Sequence, residues 1–314
     1  MIFNRDYKGN EELRELTGNY YMNNDFGKIE IDIELASEDL IKIIGYKVFS
    51  AAEKHYLCGS ENEKDKALKD KLVKHIQLPI AIMATLQMYR KNDVSHEDTG
   101  RKIKIDNDHE KLPWEWQLKR DDEIHLENYY KAVDRLIAFL EREEVSDWKE
   151  SDEKKTADSL FIKNAEIFDR YFPIDKSGRL YILLLPFIRE VERKKIKPAL
   201  GDDFEKLHAE TDLSDKEKEL LEYVYPPITL YAMSLAIRRM PLGLMPSGVI
   251  RNYISQSETM NASQPATMDE VRAFSTWLSD DADVMLEDMK QFRNGRTDMQ
   301  FLPNNDPNNK YMMV

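Results

Sequence analysis

The first clear pattern in the chain is a strict alternation of apolar and acidic positions over residues 29–35. The apolar positions are Ile29, Ile31, Ile33 and Leu35. The acidic positions between them are Glu30, Asp32 and Glu34. A period of two residues is typical of a half-buried β-strand. The pattern therefore predicts a strand with a row of acidic side chains on its outer face.

Helical periodicity follows directly after this segment. Apolar positions three and four residues apart predict a helix over about 38–57, with Ser37 as its N-cap. A second helix is predicted over about 66–91, and Pro79 inside it should produce a kink. After a polar connector, a third helix is predicted over about 121–144. The first half of the chain thus predicts three amphipathic helices and little β-structure.

The same succession of helices occurs again in the second half. A shift of 140 positions superimposes the apolar pattern of the first predicted helix on a second serine-capped one. A shift of about 148 positions places Pro79 on Pro227 and Gly100 on Gly248. The third helix finds its counterpart over about 267–292. These markers indicate an internal duplication, and the alternative is that any two amphipathic helices align this well.

Together the patterns predict a mainly α-helical protein. It would contain two similar helical-bundle repeats, minor β-strand or hairpin elements and extended terminal arms. Residues 1–28 are expected to form an N-terminal arm, and the repeats are placed at 29–150 and 151–292. Residues 293–314 form a polar C-terminal tail, which is expected to dock on a partner. The large apolar residues of this tail are Phe301, Leu302, Tyr311, Met312 and Met313.

Composition supports a helical protein and narrows the classes of function. Glycine and proline number only 11 and 12 in 314 residues, too few for the many turns of a β-sandwich or barrel. The net charge of −13 argues against a protein that grips nucleic acid without sequence preference, because such binding needs a basic surface. A single cysteine, Cys58, excludes an internal disulfide. The longest apolar run, Leu180 to Ile188, is too short to span a bilayer.

The sequence contains no recognisable motif for catalysis or cofactor binding. It has neither a GxxxxGK[ST] nor a GxGxxG loop for phosphates, and no HExxH or CxxC pair for a metal. None of the six histidines has a second histidine three or four residues away. Paired acids such as Glu143 and Glu144 are expected to be solvated. We therefore expect no enzymatic activity, no cofactor and no metal.

Particular segments of both halves have a distinctive sequence. The second half contains three of them: Phe172–Glu192, Ile196–Gly201 and Phe204–Leu207. The first half contains Asp98–Gly100, Leu112–Trp114, Leu136–Glu141 and Trp148. With these segments the chain resembles an uncharacterised family of proteins from phages and prophages of Bacteroidota. The resemblance covers most of residues 35–290.

Each half is also similar to the small helical head–tail adaptor proteins of long-tailed phages. In those proteins an initial helix ends in a turn with proline and glycine and packs against a second long helix. The second half keeps this turn as Ile196–Gly201. The first half departs from it, because His55–Gly59 contains no proline.

The resemblance implies a structural virion protein of the phage neck. Such a head–tail connector or adaptor joins the portal to the tail and continues the DNA channel. It implies a homo-oligomeric ring, expected to be dodecameric, that contacts the portal protein and tail or neck proteins. Genomic DNA would pass without specific binding, and Glu30, Asp32 and Glu34 would either line the channel or form a solvated face. The protein would assemble in the host cytoplasm, stay in the virion neck and contact no membrane.

Other functions stay open at this point. One is another virion-completion protein, associated with the tail or the capsid, which portal binding would distinguish. Another is a cytosolic helical scaffold or binding protein, which would not enter particles. A third is a helical enzyme of an unrecognised class, which would need a pocket with convergent polar groups.

Overall fold

The computed structural model describes residues 1–18, 25–59, 63–97, 100–102, 113–209, 212–240, 250–253, 262–265 and 267–295. The α-helices in the first half are α1 (Gly9–Thr17), α2 (Glu30–Ile44), α3 (Tyr46–Cys58), α4 (Glu63–Asn92), α5 (Glu115–Arg142) and α6 (Ser146–Lys149). The α-helices that follow are α7 (Asp152–Asp158), α8 (Ala165–Tyr171), α9 (Gly178–Val191), α10 (Lys197–Leu200), α11 (Asp203–Ala209), α12 (Asp215–Arg239) and α13 (Met268–Asn294). Two antiparallel hairpins pair β1 (Ser95–Glu97) with β2 (Gly100–Lys102), and β3 (Ile250–Tyr253) with β4 (Ala262–Pro265). The prediction of a mainly α-helical protein is confirmed.

The chain divides into two compact units. The first unit comprises Met1–Ala157 and Ser177–Ile182, and the second comprises Asp158–Lys176 and Leu183–Val314. The first turn of α9 therefore belongs to the first unit and the rest of that helix to the second. The sequence predicted a single boundary between residues 150 and 151. In the structure, the main boundary lies after Ala157, and the short segment Ser177–Ile182 belongs to the first unit although it lies within the second half of the chain.

Residues 29–35 lead into a helix, so the predicted strand is wrong. The buried apolar residues of this region are Ile29, Ile33, Ala36, Leu40 and Ile44. They recur every three or four residues, which is the spacing of one helix face. Ile31 and Leu35 are 59% and 56% exposed, although the alternation had placed them on the buried side. The alternation of residues 29–35 coincides with the start of a longer helical stripe that continues to Ile44.

The predicted first helix is divided in two by a glycine. α2 ends and α3 begins around Gly45, whose φ of 81° lies in the left-handed region that favours glycine. Ser37 is not an N-cap, because it lies inside α2 and its hydroxyl donates to the carbonyl oxygen of Ile33 at 2.6 Å. Serine inside a helix commonly forms this bond to the residue four positions earlier.

The N-terminal residues belong to the core of the first unit, and the predicted N-terminal arm is wrong over residues 1–18. Ile2, Phe3 and Leu13 are buried in the same apolar cluster as α2, α4 and α5. The side-chain amide of Gln77 donates to the carbonyl oxygen of Ile2 at 2.7 Å, which ties this segment to α4. Three large apolar side chains anchor a stretch that is polar on average.

The first unit is organised around two long helices joined through a hairpin. α4 is continuous through Pro79 and buries Leu72, Ile76 and Ile80. α5 follows the β1–β2 hairpin and buries Val133, Leu136 and Leu140 in the same cluster. α6 then places the indole of Trp148 in the core, where its Nε1 donates to Glu141 Oε1 at 2.8 Å.

The second unit repeats this helix–hairpin–helix order. α12 contains Pro226 and Pro227, the β3–β4 hairpin follows, and α13 packs along α12. The hydroxyl of Ser234 on α12 donates to the carbonyl oxygen of Ser275 on α13 at 2.8 Å, and this bond joins the two helices inside the core. The predicted third helix of this half, about 267–292, matches α13 within two residues. The chain thus contains two helical repeats.

The segment before α12 contains a local change of helix type. α9 begins after Ser177, whose Oγ accepts from the backbone N–H of Leu180 at 3.1 Å. It passes into a π-helical turn over Glu192–Ile196 and then into α10, which ends at Gly201. A π-helical turn widens the backbone spiral and turns the following side chains by part of a turn.

One described helix, α12, is long and apolar enough to cross a membrane by length and composition, with a mean hydropathy of 1.2 over its most apolar window. Two thirds of that window, 67%, is buried inside the protein. A helix buried on this scale is also typical of the core of a folded domain.

Candidate functional site

The three acidic residues proposed for a channel do not form a row. Glu30 and Glu34 are exposed and lie four residues apart on α2. Asp32 is only 2% exposed and forms an ion pair with Nζ of Lys91 at the end of α4. A helix turns about 100° per residue, so alternate positions point to different sides. Asp32 therefore stabilises the core of the first unit, and only Glu30 and Glu34 can face solvent.

The residues that marked the duplication are partly placed by the structure. Pro79 and Pro227 both lie inside the long helix that precedes a hairpin. Gly100 begins β2. Gly248 lies outside the described residues. The two prolines occupy corresponding positions, which agrees with a repeated unit.

The predicted docking tail lies almost wholly outside the described residues. Phe301, Leu302, Tyr311, Met312 and Met313 all belong to the part of the chain that the structure leaves out. The described chain ends with α13 and Gly295. Arg293, which the sequence assigned to the tail, is held at the end of α13 because its Nε donates to Asp203 Oδ2 at 2.6 Å.

The helix that follows the hairpin in each repeat, here called the closing helix, is α5 in the first repeat and α13 in the second. Both closing helices begin in the same way. The side-chain oxygen of Gln117 accepts from the backbone N–H of Trp114 at 2.9 Å, just before α5. The side chain of Glu270 accepts from the backbone N–H of Thr267 at 3.0 Å, just before α13. In both helices the third residue thus caps the N-terminus. This shared start sets the register in which the two helices can be compared.

In that register, the two closing helices expose large apolar side chains at a corresponding position. Ile124 on α5 and Trp277 on α13 each lie nine residues after the first residue of their helix. Ile124 is 47% exposed and Trp277 is 66% exposed. Further exposed apolar residues on these segments are Trp114, Trp116, Leu118, Met268, Val284 and Met285. Large apolar side chains are thus exposed at or along the closing helix of both repeats.

A basic pocket lies in the first unit between α1, α4 and α5. Its volume is about 440 Å³, and it is lined by Leu16, Lys71, Lys74, His75, Leu78, Arg135, Phe139 and Arg142. Two of these lining residues, His75 and Phe139, place their rings against each other, with their centroids 4.4 Å apart. No carboxylate appears among these lining residues in the described part of the chain. In a protein with a net charge of −13, this is a local reversal of sign.

One buried acid stands apart from these surfaces. Glu192, in the π-helical turn, is 4% exposed, and its Oε1 accepts from the backbone N–H of Phe161 at 2.8 Å. Burial raises the pKa of this carboxyl to about 8, although backbone N–H groups of Phe161 and Ile162 favour its charged form. The contact holds the chain before α8 against the π-helical turn, which is a structural task.

Among the described residues, no three histidine, cysteine, aspartate or glutamate side chains converge in a way that could hold a metal ion. Cys58 is exposed at the end of α3. The ring of His55 is directed to Asp70, with Nε2 at 2.8 Å from its Oδ1.

The sequence reasoning missed both the exposed apolar positions and the basic pocket. Ile124, Trp277 and Val284 fit the apolar periodicity of their helices, but the structure exposes all three. The pocket was missed because its cations come from two helices about sixty residues apart in the chain. A helical projection of α4 would have placed Lys71, Lys74 and Leu78 on one side, since they are three and four residues apart.

Comparison with protein families gives one match. The model of DUF6712, a family of unknown function, matches residues 13–158 and again residues 196–311. The two matched regions each contain one helix–hairpin–helix repeat, in agreement with the duplication. Comparison with curated proteins and with solved structures gives no match.

Proposed function

Because the chain belongs to DUF6712, a family of unknown function, its role has to come from its own residues, and we propose that it is a structural protein of the phage neck. In this proposal it is a head–tail connector or adaptor that forms a homo-oligomeric ring, expected to be dodecameric, between portal and tail. The ring continues the DNA channel without binding DNA specifically. The protein assembles in the host cytoplasm, stays in the virion and acts without a cofactor, a membrane or a catalytic reaction.

The observation that carries the proposal is the exposure of apolar side chains at a corresponding position of the two repeats. Ile124 and Trp277 lie on the closing helices α5 and α13, each at the same distance from the helix start. Leaving a tryptophan in water forgoes the free energy of burying it, roughly 25 cal/mol per Å² of apolar surface. A neighbouring copy that covers these positions would recover that free energy.

A ring also needs interfaces of a particular kind. Neighbours in a ring contact each other through two different surfaces, and the rotation between them must close after a fixed number of copies. A duplicated chain presents a closing helix in each repeat, so each chain offers two exposed apolar surfaces to other molecules. The tail residues Phe301, Leu302, Tyr311, Met312 and Met313 are proposed to contact the portal or the next ring.

Of the three acidic residues, only Glu30 and Glu34 are proposed to line the DNA channel. Their carboxylates are exposed on one side of α2, and like charge keeps phosphates from binding. Asp32 is withdrawn from this role because it is buried and paired with Lys91.

The second candidate is a helical scaffold or another virion-completion protein. The same exposed apolar residues favour it, because they suit a different partner as well as a second copy. The two candidates differ in self-association. A connector forms a closed ring of fixed mass and binds the portal, whereas a scaffold stays monomeric or dimeric.

The proposal is tested by measuring the mass of the purified full-length protein, alone and mixed with the portal protein encoded in the same genome. We expect a closed ring of one defined mass, at least in the presence of the portal. Trp277→Lys should reduce the ring population strongly, and Thr276→Lys serves as the matched control because Thr276 is an exposed neighbour on the same helix. A monomer under all conditions, with no portal binding, would overturn the proposal.

A further inference from the structure

The basic pocket of the first unit is a site that the connector role does not use. Four cationic side chains surround it: Lys71 and Lys74 from α4, and Arg135 and Arg142 from α5. Lys71, Lys74 and Arg135 form no ion pair with any carboxylate in the described part of the chain. Arg142 contacts one, since its Nε donates to Glu143 Oε1 at 3.0 Å. The other guanidinium N–H groups of Arg142 stay available, because arginine carries five donors.

Three of the four cations thus have no carboxylate partner among the described residues, and this has an energetic consequence. Like charges that line one pocket repel each other, and solvent screens part of this repulsion because all four side chains are exposed. The pKa of His75 is lowered, first by burial and then by the positive charges of Arg135 and Arg142. Burial and the two arginines thus disfavour a positive charge on His75. An anion in the pocket would relieve this repulsion.

The spacing of the cations indicates how many anionic groups fit. Arg135 and Arg142 are seven residues apart on α5, so they are separated by roughly 10 Å along the helix axis. Lys71 and Lys74 lie on one side of α4, about one turn apart. Two or more linked anionic groups can contact cations along this length at the same time, so that each group has its own cationic partners.

Phosphate groups match this pocket better than carboxylates. A phosphate monoester carries nearly two negative charges at neutral pH and three acceptor oxygens, so two such groups balance four cations. A carboxylate carries one charge, so four of them would be needed. Arginine binds phosphate with paired N–H donors, and lysine binds it as a point charge. The volume of about 440 Å³ falls within the range of small-molecule sites.

We propose that this pocket binds a small molecule that carries at least two linked phosphate groups, held between Lys71 and Lys74 on α4 and Arg135 and Arg142 on α5. The rings of His75 and Phe139, which contact each other, also line the pocket. The site lies within the first unit, so its occupancy does not depend on ring formation. The proposal stands independently of the neck function.

The test is isothermal titration calorimetry of the full-length protein with pyrophosphate at low salt. The variant K74Q/R135Q removes one exposed cation from each helix of the pocket. The matched control K69Q/K131Q removes exposed cations from the same two helices, at positions that do not line the pocket. Both variants change the net charge equally. We expect K74Q/R135Q to bind pyrophosphate about tenfold more weakly or worse, and the control to bind like the wild type.

Two further titrations distinguish binding of linked phosphate groups from a general attraction between the pocket and any anion. Orthophosphate should bind much more weakly than pyrophosphate, because it offers a single phosphate group to the four cations. Citrate, a tricarboxylate, should also bind more weakly. The proposal is overturned if pyrophosphate does not bind at millimolar concentration, if citrate binds as tightly, or if both double variants lose affinity equally. Circular dichroism of both variants confirms that the exposed substitutions leave the fold intact.

Discussion

The carboxylate of Glu192, in the π-helical turn, accepts a hydrogen bond of 2.8 Å from the backbone N–H of Phe161. Both residues are buried, at 4% and 1% exposure. The contact places an ionisable group inside the second unit, where burial raises its pKa to about 8. It follows that the stability of this unit depends on pH in a defined direction.

The folded protein should hold a proton on Glu192 that the unfolded chain releases between about pH 4.5 and pH 8. A group whose pKa is higher in the folded protein contributes its full stabilisation at a pH below its pKa in the unfolded chain. This stabilisation is lost as the pH rises to the pKa of the group in the folded protein. For this group the free energy of unfolding falls by up to about 1.4 kcal/mol per pH unit in that window. Glu192→Gln should remove this dependence and stabilise the protein at pH 8. Urea denaturation at several pH values measures it.

Glu219→Gln is the control for this series, because Glu219 is an exposed carboxylate on α12. It should leave the pH dependence of unfolding as in the wild type. If Glu192→Gln is less stable than the wild type at pH 8, the carboxylate is charged in the folded state, and the predicted loss of stability with rising pH is wrong.

Breaking the Asp32–Lys91 pair should destabilise the first unit. Lys91→Met leaves the buried carboxylate of Asp32 without its cation, and we expect a loss of roughly 1–3 kcal/mol. The cost stays at this level because the lysine side chain is 52% exposed and water can approach it. The double variant Asp32→Leu with Lys91→Met should recover part of the loss, since no buried charge is then left unpaired. Thermal denaturation compares the three proteins, and a neutral Lys91→Met would contradict the role assigned to the pair.

The first residue of α9 leaves no room for a side chain. A Cβ atom at Gly178 would lie 2.6 Å from Cγ2 of Ile137 on α5. Gly178→Ala should therefore cost about 1–3 kcal/mol, even though alanine usually favours a helix over glycine. Gly27→Ala is a suitable control, because a Cβ there would meet only ordinary contacts with Asp25. Equal melting temperatures for both variants would show that Ile137 moves aside without cost.

Removal of residues 296–314 tests the role proposed for the tail. The deletion keeps all of α13 and the contact between Arg293 and Asp203. The melting temperature should therefore stay close to that of the full chain, while attachment to the portal should be impaired. Co-sedimentation with portal particles measures attachment. Unchanged attachment would remove the docking role from Phe301, Leu302, Tyr311, Met312 and Met313.

The long helices could be predicted from the sequence because their apolar positions recur over many turns. α4 and α13 lie within a few residues of the predicted limits. The segment 29–35 was misassigned because seven residues are too few to separate a period of two from a helical stripe. Residues 1–18 were misassigned because Ile2, Phe3 and Leu13 are few in number, and only the packing shows that they anchor the segment.

The surfaces were harder to predict than the helices. An apolar residue such as Trp277 extends the apolar stripe of α13 in the sequence, and only tertiary packing decides that it stays outside the core. The cations of the basic pocket are distant in the chain and meet because α4 packs against α5. Arrangements that depend on which helices touch cannot be obtained from local periodicity.

The four tryptophans have contrasting environments, and this has a practical consequence for fluorescence measurements. Trp114, Trp116 and Trp277 are exposed, whereas Trp148 is buried beside Glu141. Emission from the three exposed indoles should shift to shorter wavelength when another molecule covers them, and emission from Trp148 should shift to longer wavelength on denaturation. The intrinsic fluorescence of the unlabelled chain can therefore follow assembly and unfolding as two spectral changes of opposite sign.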